Sequence, residues 1–160
     1  LYILMALMCI ACGEKPAPPT PGPDPEPPVP GPEPVETLAS KIITEWHCVV
    51  SDIDADIYLQ FGNFFDFALY QKIGEGAYRL YKGTWELDED TAMLTGKYND
   101  GAAWGSGYTV SVSEDGNSMT LTPSEGSEAQ VYRKESIPSE VKEKAVVIVR
   151  SDAGCEVPVL

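Results

Sequence analysis

Eight short segments rich in β-forming residues follow one another between positions 45 and 133, and they constrain the fold more than any other feature of this chain. Most of them alternate apolar with polar residues, and clusters of Gly, Asn, Asp or Pro separate them, as is typical of strands joined by turns. The links are short, so we expect consecutive strands to pair antiparallel. The predicted strands are Glu45–Ser51, Asp56–Phe61, Phe64–Gln71, Tyr78–Leu87, Ala92–Tyr98, Gly107–Ser113, Ser118–Thr122 and Glu128–Arg133.

The period of two assigns one face of each strand to a core and the other to solvent. A meander of eight strands leaves two exposed edges unless it closes, so we predict an all-β fold, a small eight-stranded antiparallel barrel spanning 40–135. Gly83, within the long fourth strand, predicts a bend or bulge. The residues expected to face inward are bulky: Trp46, Val50, Ile57, Leu59, Phe61, Phe65, Phe67, Leu69, Val110 and Val112.

The order of motifs along residues 40–145 resembles the lipocalin-like domains of small lipoproteins from Bacteroides-type bacteria. The motifs are Trp46 on the first strand, DIYLQF at 56–61, YKGTWEL at 81–87, LTGKY at 94–98, SMTLT at 118–122 and SIP at 136–138. The resemblance implies a small antiparallel barrel carried on a lipid anchor. The chain is shorter than a typical lipocalin, so we expect a cavity that is small or filled by side chains.

The first twelve residues carry no charge. Such a run is too short to span a bilayer as a helix, which takes about 20 residues, but it has the length of the apolar core of a secretory signal peptide. It ends in Ala11-Cys12-Gly13, which resembles the lipobox of bacterial lipoproteins. The resemblance implies that residues 1–11 are the later part of a signal peptide. It also implies cleavage before Cys12, diacylglycerol on the Cys12 sulfur and a chain such as palmitate on the new amino group.

A lipid-modified Cys12 places the protein in the cell envelope, because two or more acyl chains hold a domain stably to a membrane. Gly13 stands where an Asp would favour retention in the inner membrane, so we expect the outer membrane. Both the periplasmic and the surface face remain open.

Proline makes up 11 of the 19 residues from Pro16 to Pro34. Each proline fixes φ and removes a backbone donor, so helices and sheets are excluded there. We predict that residues 12–39 form a disordered tether, semi-rigid in its polyproline II stretches, between the lipid and the barrel.

The formal net charge is −14, from 25 acidic and 11 basic residues. A chain without a basic patch cannot replace the counterions of nucleic acid, so nucleic acid is not an expected partner.

Residues 136–160 are predicted to contain a short helix over 136–145 and a tail that docks on the barrel. Pro138 suits a first helical turn, and Glu140 stands four residues before Lys144. A strand is a further expectation for Val146–Val149. The apolar end of Glu156–Leu160 indicates that this segment packs against the domain.

His47 is the only histidine, which leaves little from which to build a catalytic triad. Cys48 follows it directly and is expected on the opposite strand face, so the two cannot act together. No metal site or other cofactor is expected, since the carboxylates of 52–56 lack the Gly and Glu of a calcium loop. We therefore expect a protein without enzymatic activity.

Trp104 lies in a Gly-rich loop, GAAWGSG at 101–107, where an aromatic ring can stack on a ligand or cover the barrel end. We expect a shallow ligand pocket beside it, with Trp46, Phe65 and Tyr108 as further contacts. The first hypothesis is a small apolar or amphipathic ligand held inside the barrel. The alternative is a filled barrel that contacts a surface glycan or protein through its loops.

Two cysteines remain in the mature chain besides Cys12. An exported protein can form disulfides, so a bridge between Cys48 and Cys155 is one expectation. The alternative is a buried, unreacted Cys48 and a free thiol at Cys155.

Overall fold

The computed structural model describes residue 22 and residues 36–126, 128–149 and 158–160. The predicted signal peptide, Cys12 and nearly all of the tether lie outside these residues, as does Cys155. The chain divides into two units, 1–34 and 35–160, and the second contains every described helix and strand. Within it, the bounds are α1 Leu38–Ile42, β1 Glu45–Val50, β2 Ala55–Phe61, β3 Asp66–Ile73, β4 Arg79–Asp88, β5 Met93–Tyr98, β6 Tyr108–Val112, β7 Ser118–Pro123, β8 Gln130–Lys134, α2 Ser139–Lys144 and β9 Val146–Val147, with a 3₁₀ turn at Ser51–Ile53.

Strands β1 to β8 form a closed antiparallel barrel, which confirms the predicted fold class. Each strand pairs with the next along the chain, and β8 pairs with β1. All eight predicted strands exist, and none of their ends is shifted by more than two residues. The short β9 adds a ninth strand, since Val146 and Val147 run parallel to Arg79 and Leu80. The barrel therefore closes around a single interior.

Large side chains fill that interior, as the alternation predicts. Seven of the ten expected inward residues are buried; Val50 and Val112 are half-buried, and Phe65 is exposed. The fully buried bulk comes from residues on all sides of the barrel: Trp46, Ile57, Leu59, Phe61, Phe67, Leu69, Tyr81, Trp85, Leu94, Met119, Leu121 and Tyr132.

The prediction that Phe65 faces inward is wrong. Its φ is +58°, and β3 begins only at Asp66, so Phe65 belongs to the preceding turn and lies outside the alternation. The residue is 58% exposed, and its ring contacts Trp85, with ring centroids 5.2 Å apart.

Helix α2 lies against the outer wall of the barrel. Ile137 and Val141 pack on outward-facing Tyr58, Tyr70 and Leu80. The segment is fixed by Glu45, which accepts hydrogen bonds from the Ile137 amide (2.7 Å) and the Lys142 ammonium (2.6 Å). This cover explains why tyrosines on the polar face of β2 and β3 are buried.

Helix α1 was not predicted, and it closes one end of the barrel. Thr37 caps it by accepting from the Ser40 amide, and the Glu89 carboxylate accepts from the amides of Leu38 and Ala39, at 2.9 Å each. Ile42 is fully buried in the core. We call this the helix end, which also holds the loops after β2, β4 and β6. The opposite end, with the loops after β1, β3, β5 and β7, is the tail end.

Gly83 stands in the middle of β4, between Phe67 of β3 and Tyr98 of β5. A Cβ at this position would overlap the Lys97 carbonyl oxygen and the Phe67 ring. The glycine is thus required by the close approach of two neighbouring strands.

Candidate ligand-binding site

Trp104 lies inside the barrel at the tail end rather than exposed on its loop. The loop returns along β5, where Lys97 pairs with Ala103 and the Trp104 amide donates to the Gly96 carbonyl at 3.0 Å. A Cβ on Gly96 would overlap the indole ring, so the absence of a side chain there makes room for it. The ring also makes edge contacts with Phe67 and Tyr108, and Trp104 is only 6% exposed.

Residues 158–160 occupy the space beside this aromatic group. Pro158 and Leu160 are buried, which confirms for these residues that the C-terminal segment docks. Their main chain is held by side chains: Val159 N–H donates to Gln71 Oε1 at 2.8 Å. The Tyr108 hydroxyl donates to the Val159 carbonyl at 3.2 Å, and the Tyr98 hydroxyl to the main-chain oxygen of Leu160 at 2.6 Å.

Three polar side chains inside an apolar barrel thus converge on the main chain of Val159 and Leu160. Gln71 is fully buried. Burial raises the pKa of Tyr98 and of Tyr108, so both hydroxyls stay protonated and able to donate at neutral pH. The arrangement supplies one acceptor and two donors.

Trp104 adds a donor that the described residues leave unused. Its buried Nε1–H has no hydrogen-bond partner among them. The other two indoles are satisfied, since Trp46 donates to the Ile42 carbonyl and Trp85 to the Asp66 carbonyl, both at 2.9 Å. An unpaired buried donor costs about 1–3 kcal/mol, so this group is available to an acceptor.

The four residues predicted as ligand contacts separate into two pairs. Trp104 and Tyr108 meet at the tail end, with ring centroids 6.1 Å apart. Trp46 lies at the helix end beneath α1, and Phe65 is exposed on a turn of that same end. The structure therefore assembles half of the predicted set at one place.

Sequence reasoning missed Gln71, Tyr98 and the tail as members of this group. The signal for Gln71 was present, because it stands two residues after inward-facing Leu69 and continues the alternation of β3. The position of Val159 carried no comparable signal, since a docked tail has no regular alternation of apolar and polar residues.

A surface cleft of ≈ 470 Å³ lies at the helix end, lined by Glu45, Gln60, Phe61, Gly62 and Glu135 among others. Beside it, Phe64 is 90% exposed in the turn between β2 and β3. Of the large apolar residues that the structure describes, Phe64 is the most exposed.

His47 lies on the outer wall, while Cys48 faces the core, so the expectation that they point apart is confirmed. His47 Nε2 bonds to Asp56 Oδ1 at 2.7 Å and Nδ1 to Glu135 Oε2 at 2.9 Å, and the ring stacks on Tyr58. The two carboxylates bind opposite ring nitrogens and do not face a common point. Within the described ranges, no group of three or more His, Cys, Asp and Glu residues could hold a metal ion.

Cys48 is buried as a free thiol, and burial raises its pKa. Cys155 lies outside the described residues, so the bridge between them stays a prediction.

No protein-family model, curated protein or solved structure matches this chain. In the part of the chain that the structure describes, neither helix is long and apolar enough to cross a membrane.

Proposed function

We propose that this protein is a lipocalin-like, lipid-anchored binding protein of the cell envelope, without enzymatic activity. It holds one small apolar or amphipathic ligand at the tail end of its barrel, beside Trp104. Cys12 carries the lipid, the Pro-rich segment is the tether, and the outer membrane is the site of attachment.

The unused indole donor of Trp104 carries this proposal. Buried polar groups in proteins are nearly always hydrogen-bonded, so each exception calls for an explanation. A bound molecule with an acceptor group would satisfy Trp104, and the apolar surroundings would take its hydrocarbon part. Eight-stranded barrels are just wide enough to be filled by side chains or to hold one small ligand.

Purification from the native host tests the ligand. Organic extraction followed by mass spectrometry should yield a stoichiometric small molecule. The purified protein should also bind dansyl-undecanoic acid with quenching of tryptophan fluorescence, and a Trp104→Phe variant should lose most of that quenching. An empty extract together with no quenching in the wild type would overturn the proposal.

The anchor has its own test. Cys12→Ser should abolish labelling with a radioactive fatty acid and release the folded domain from membranes. Cys9→Ser is the matched control. Position 9 is removed with the signal peptide, so labelling should persist in this variant. Labelled, membrane-bound Cys12→Ser protein would contradict the anchor.

Exposed Phe64 and its neighbour Phe65 favour a second candidate, a surface module that contacts a glycan or protein. This candidate needs no interior ligand. It becomes the better account if the extract is empty and the double variant Phe64→Ser, Phe65→Ser loses attachment to a surface that the wild type binds.

A further inference from the structure

We propose that the tail end is a peptide-binding site that reads the main chain of a short, extended, apolar peptide, and that Val159–Leu160 is its resident occupant. This inference rests on the proposed binding function and names the class of ligand. It follows from which atoms of the tail the barrel contacts.

Three hydrogen bonds join barrel side chains to residues 158–160, and all three go to main-chain atoms. Gln71 accepts from an amide, while Tyr108 and Tyr98 donate to two successive carbonyl positions. One acceptor and two donors are complementary to three of the four main-chain groups of a dipeptide unit: the N–H and C=O of its first residue and the C=O of its second. A hydrocarbon chain cannot donate the hydrogen bond that Gln71 Oε1 accepts from the Val159 amide.

The side chains of the tail fit the same interpretation. Leu160 is buried in the main core cluster, and Val159 packs against that cluster. Apolar side chains are therefore accepted at these two positions, whereas a charged one would be buried without a partner. The barrel contacts specify main-chain geometry and apolar character.

A covalently attached occupant competes strongly with a free one. A segment on the same chain has an effective concentration in about the millimolar range, so a free peptide should bind poorly while the tail is docked. Release of the tail should open the site.

Leu160→Asp is the variant that releases the tail, because it places a carboxylate in the core. The probe is acetyl-Pro-Val-Leu-amide, titrated into full-length, ¹⁵N-labelled protein and followed at the indole N–H resonance of Trp104. Acetyl-Pro-Asp-Asp-amide is the control peptide. If Leu160→Asp unfolds the protein at the temperature of the titration, Val159→Pro is used as the tail-released variant instead. Proline has no N–H, so it removes the hydrogen bond that Gln71 accepts from residue 159.

We expect the apolar peptide to shift the Trp104 resonance in the tail-released variant and to bind it at least tenfold more tightly than the wild type. Adding Tyr98→Phe to the tail-released variant should lower its affinity for the apolar peptide about threefold to tenfold, which is the contribution of one hydrogen bond. Tyr132→Phe is the matched control, because that buried hydroxyl donates to Gln130 instead of the tail, and it should leave binding unchanged.

The outcomes separate this inference from the proposed function. Binding of dansyl-undecanoic acid without binding of the apolar peptide overturns the peptide site and leaves the lipid-type carrier standing. Binding of neither probe overturns both. Equal binding of the two peptides, or no effect of Tyr98→Phe, also overturns the inference, because the contacts would then not be those of the tail.

Discussion

The two ends of this barrel are both closed, but by different means. At the helix end, the apolar side of α1 covers the interior, and its backbone donors are capped by Thr37 and Glu89. Trp46 donates to the Ile42 carbonyl beneath it. At the tail end, interior side chains contact the main chain of Val159 and Leu160, and the indole nitrogen of Trp104 has no partner among the described residues.

We infer from this difference that the helix end is closed permanently, whereas the tail that closes the other end can be exchanged for a ligand. At the helix end, the capped amides of α1 and the Trp46 indole already have partners, so another molecule would gain no hydrogen bond there. At the tail end, the Trp104 indole has no partner among the described residues, so a molecule that presents the same main-chain groups and an acceptor for Trp104 can replace the tail. The helix end is thus part of the folded core, and the tail end is the place for binding.

The largest expected effect is a loss of stability on truncating the buried apolar residue that anchors each end, Ile42 at the helix end and Leu160 at the tail end. Ile42→Ala should lower the free energy of unfolding by about 3 kcal/mol, because it leaves a cavity in the core. Leu160→Ala should cost less than half as much, since the tail can undock without unfolding the barrel. Urea denaturation measures both. Equal losses would mean that the tail belongs to the core as firmly as α1 does.

Gly96→Ala should have the next largest effect, about 2 kcal/mol, because the new methyl group displaces the indole of Trp104. Tryptophan emission should shift to the red as the ring becomes exposed. Gly105→Ala is the matched control, since its Cβ would meet nothing closer than the Leu160 oxygen at 4.0 Å. Unchanged emission and stability in Gly96→Ala would contradict the position of Trp104.

The smallest expected effect concerns the cap at the helix end. Glu89→Ala removes the acceptor for the amides of Leu38 and Ala39 and should cost about 1 kcal/mol. Asp90→Ala, on the same loop, serves as the control and should have little effect on thermal unfolding. If the two variants melt alike, α1 does not depend on Glu89 and the contrast between the ends is weaker than described.

The barrel could be predicted from the sequence because period-two alternation and turn residues are local signals, repeated eight times. Helix α1 could not, since five residues give barely one helical turn and its formation depends on Ile42 packing and on Glu89, 50 positions away from Ala39. Phe65 was misassigned because a positive φ ended the alternation one residue before β3.

The candidate site was only half predictable for a related reason. Trp104 and Tyr108 were recognisable as aromatic residues beside a Gly-rich loop. The contribution of Val159 depends on contacts 51 and 88 positions apart in sequence, and no local pattern encodes such contacts.

Native-state hydrogen exchange compares the two ends in one experiment. The reporters are the Val159 amide, which donates to Gln71, and the Trp46 indole N–H, which donates to the Ile42 carbonyl. The Trp46 proton should exchange only through global unfolding, while Val159 should exchange through a local opening whose free energy lies well below the global value. Exchange of both protons with the same, global free energy would contradict a tail end that opens to bind.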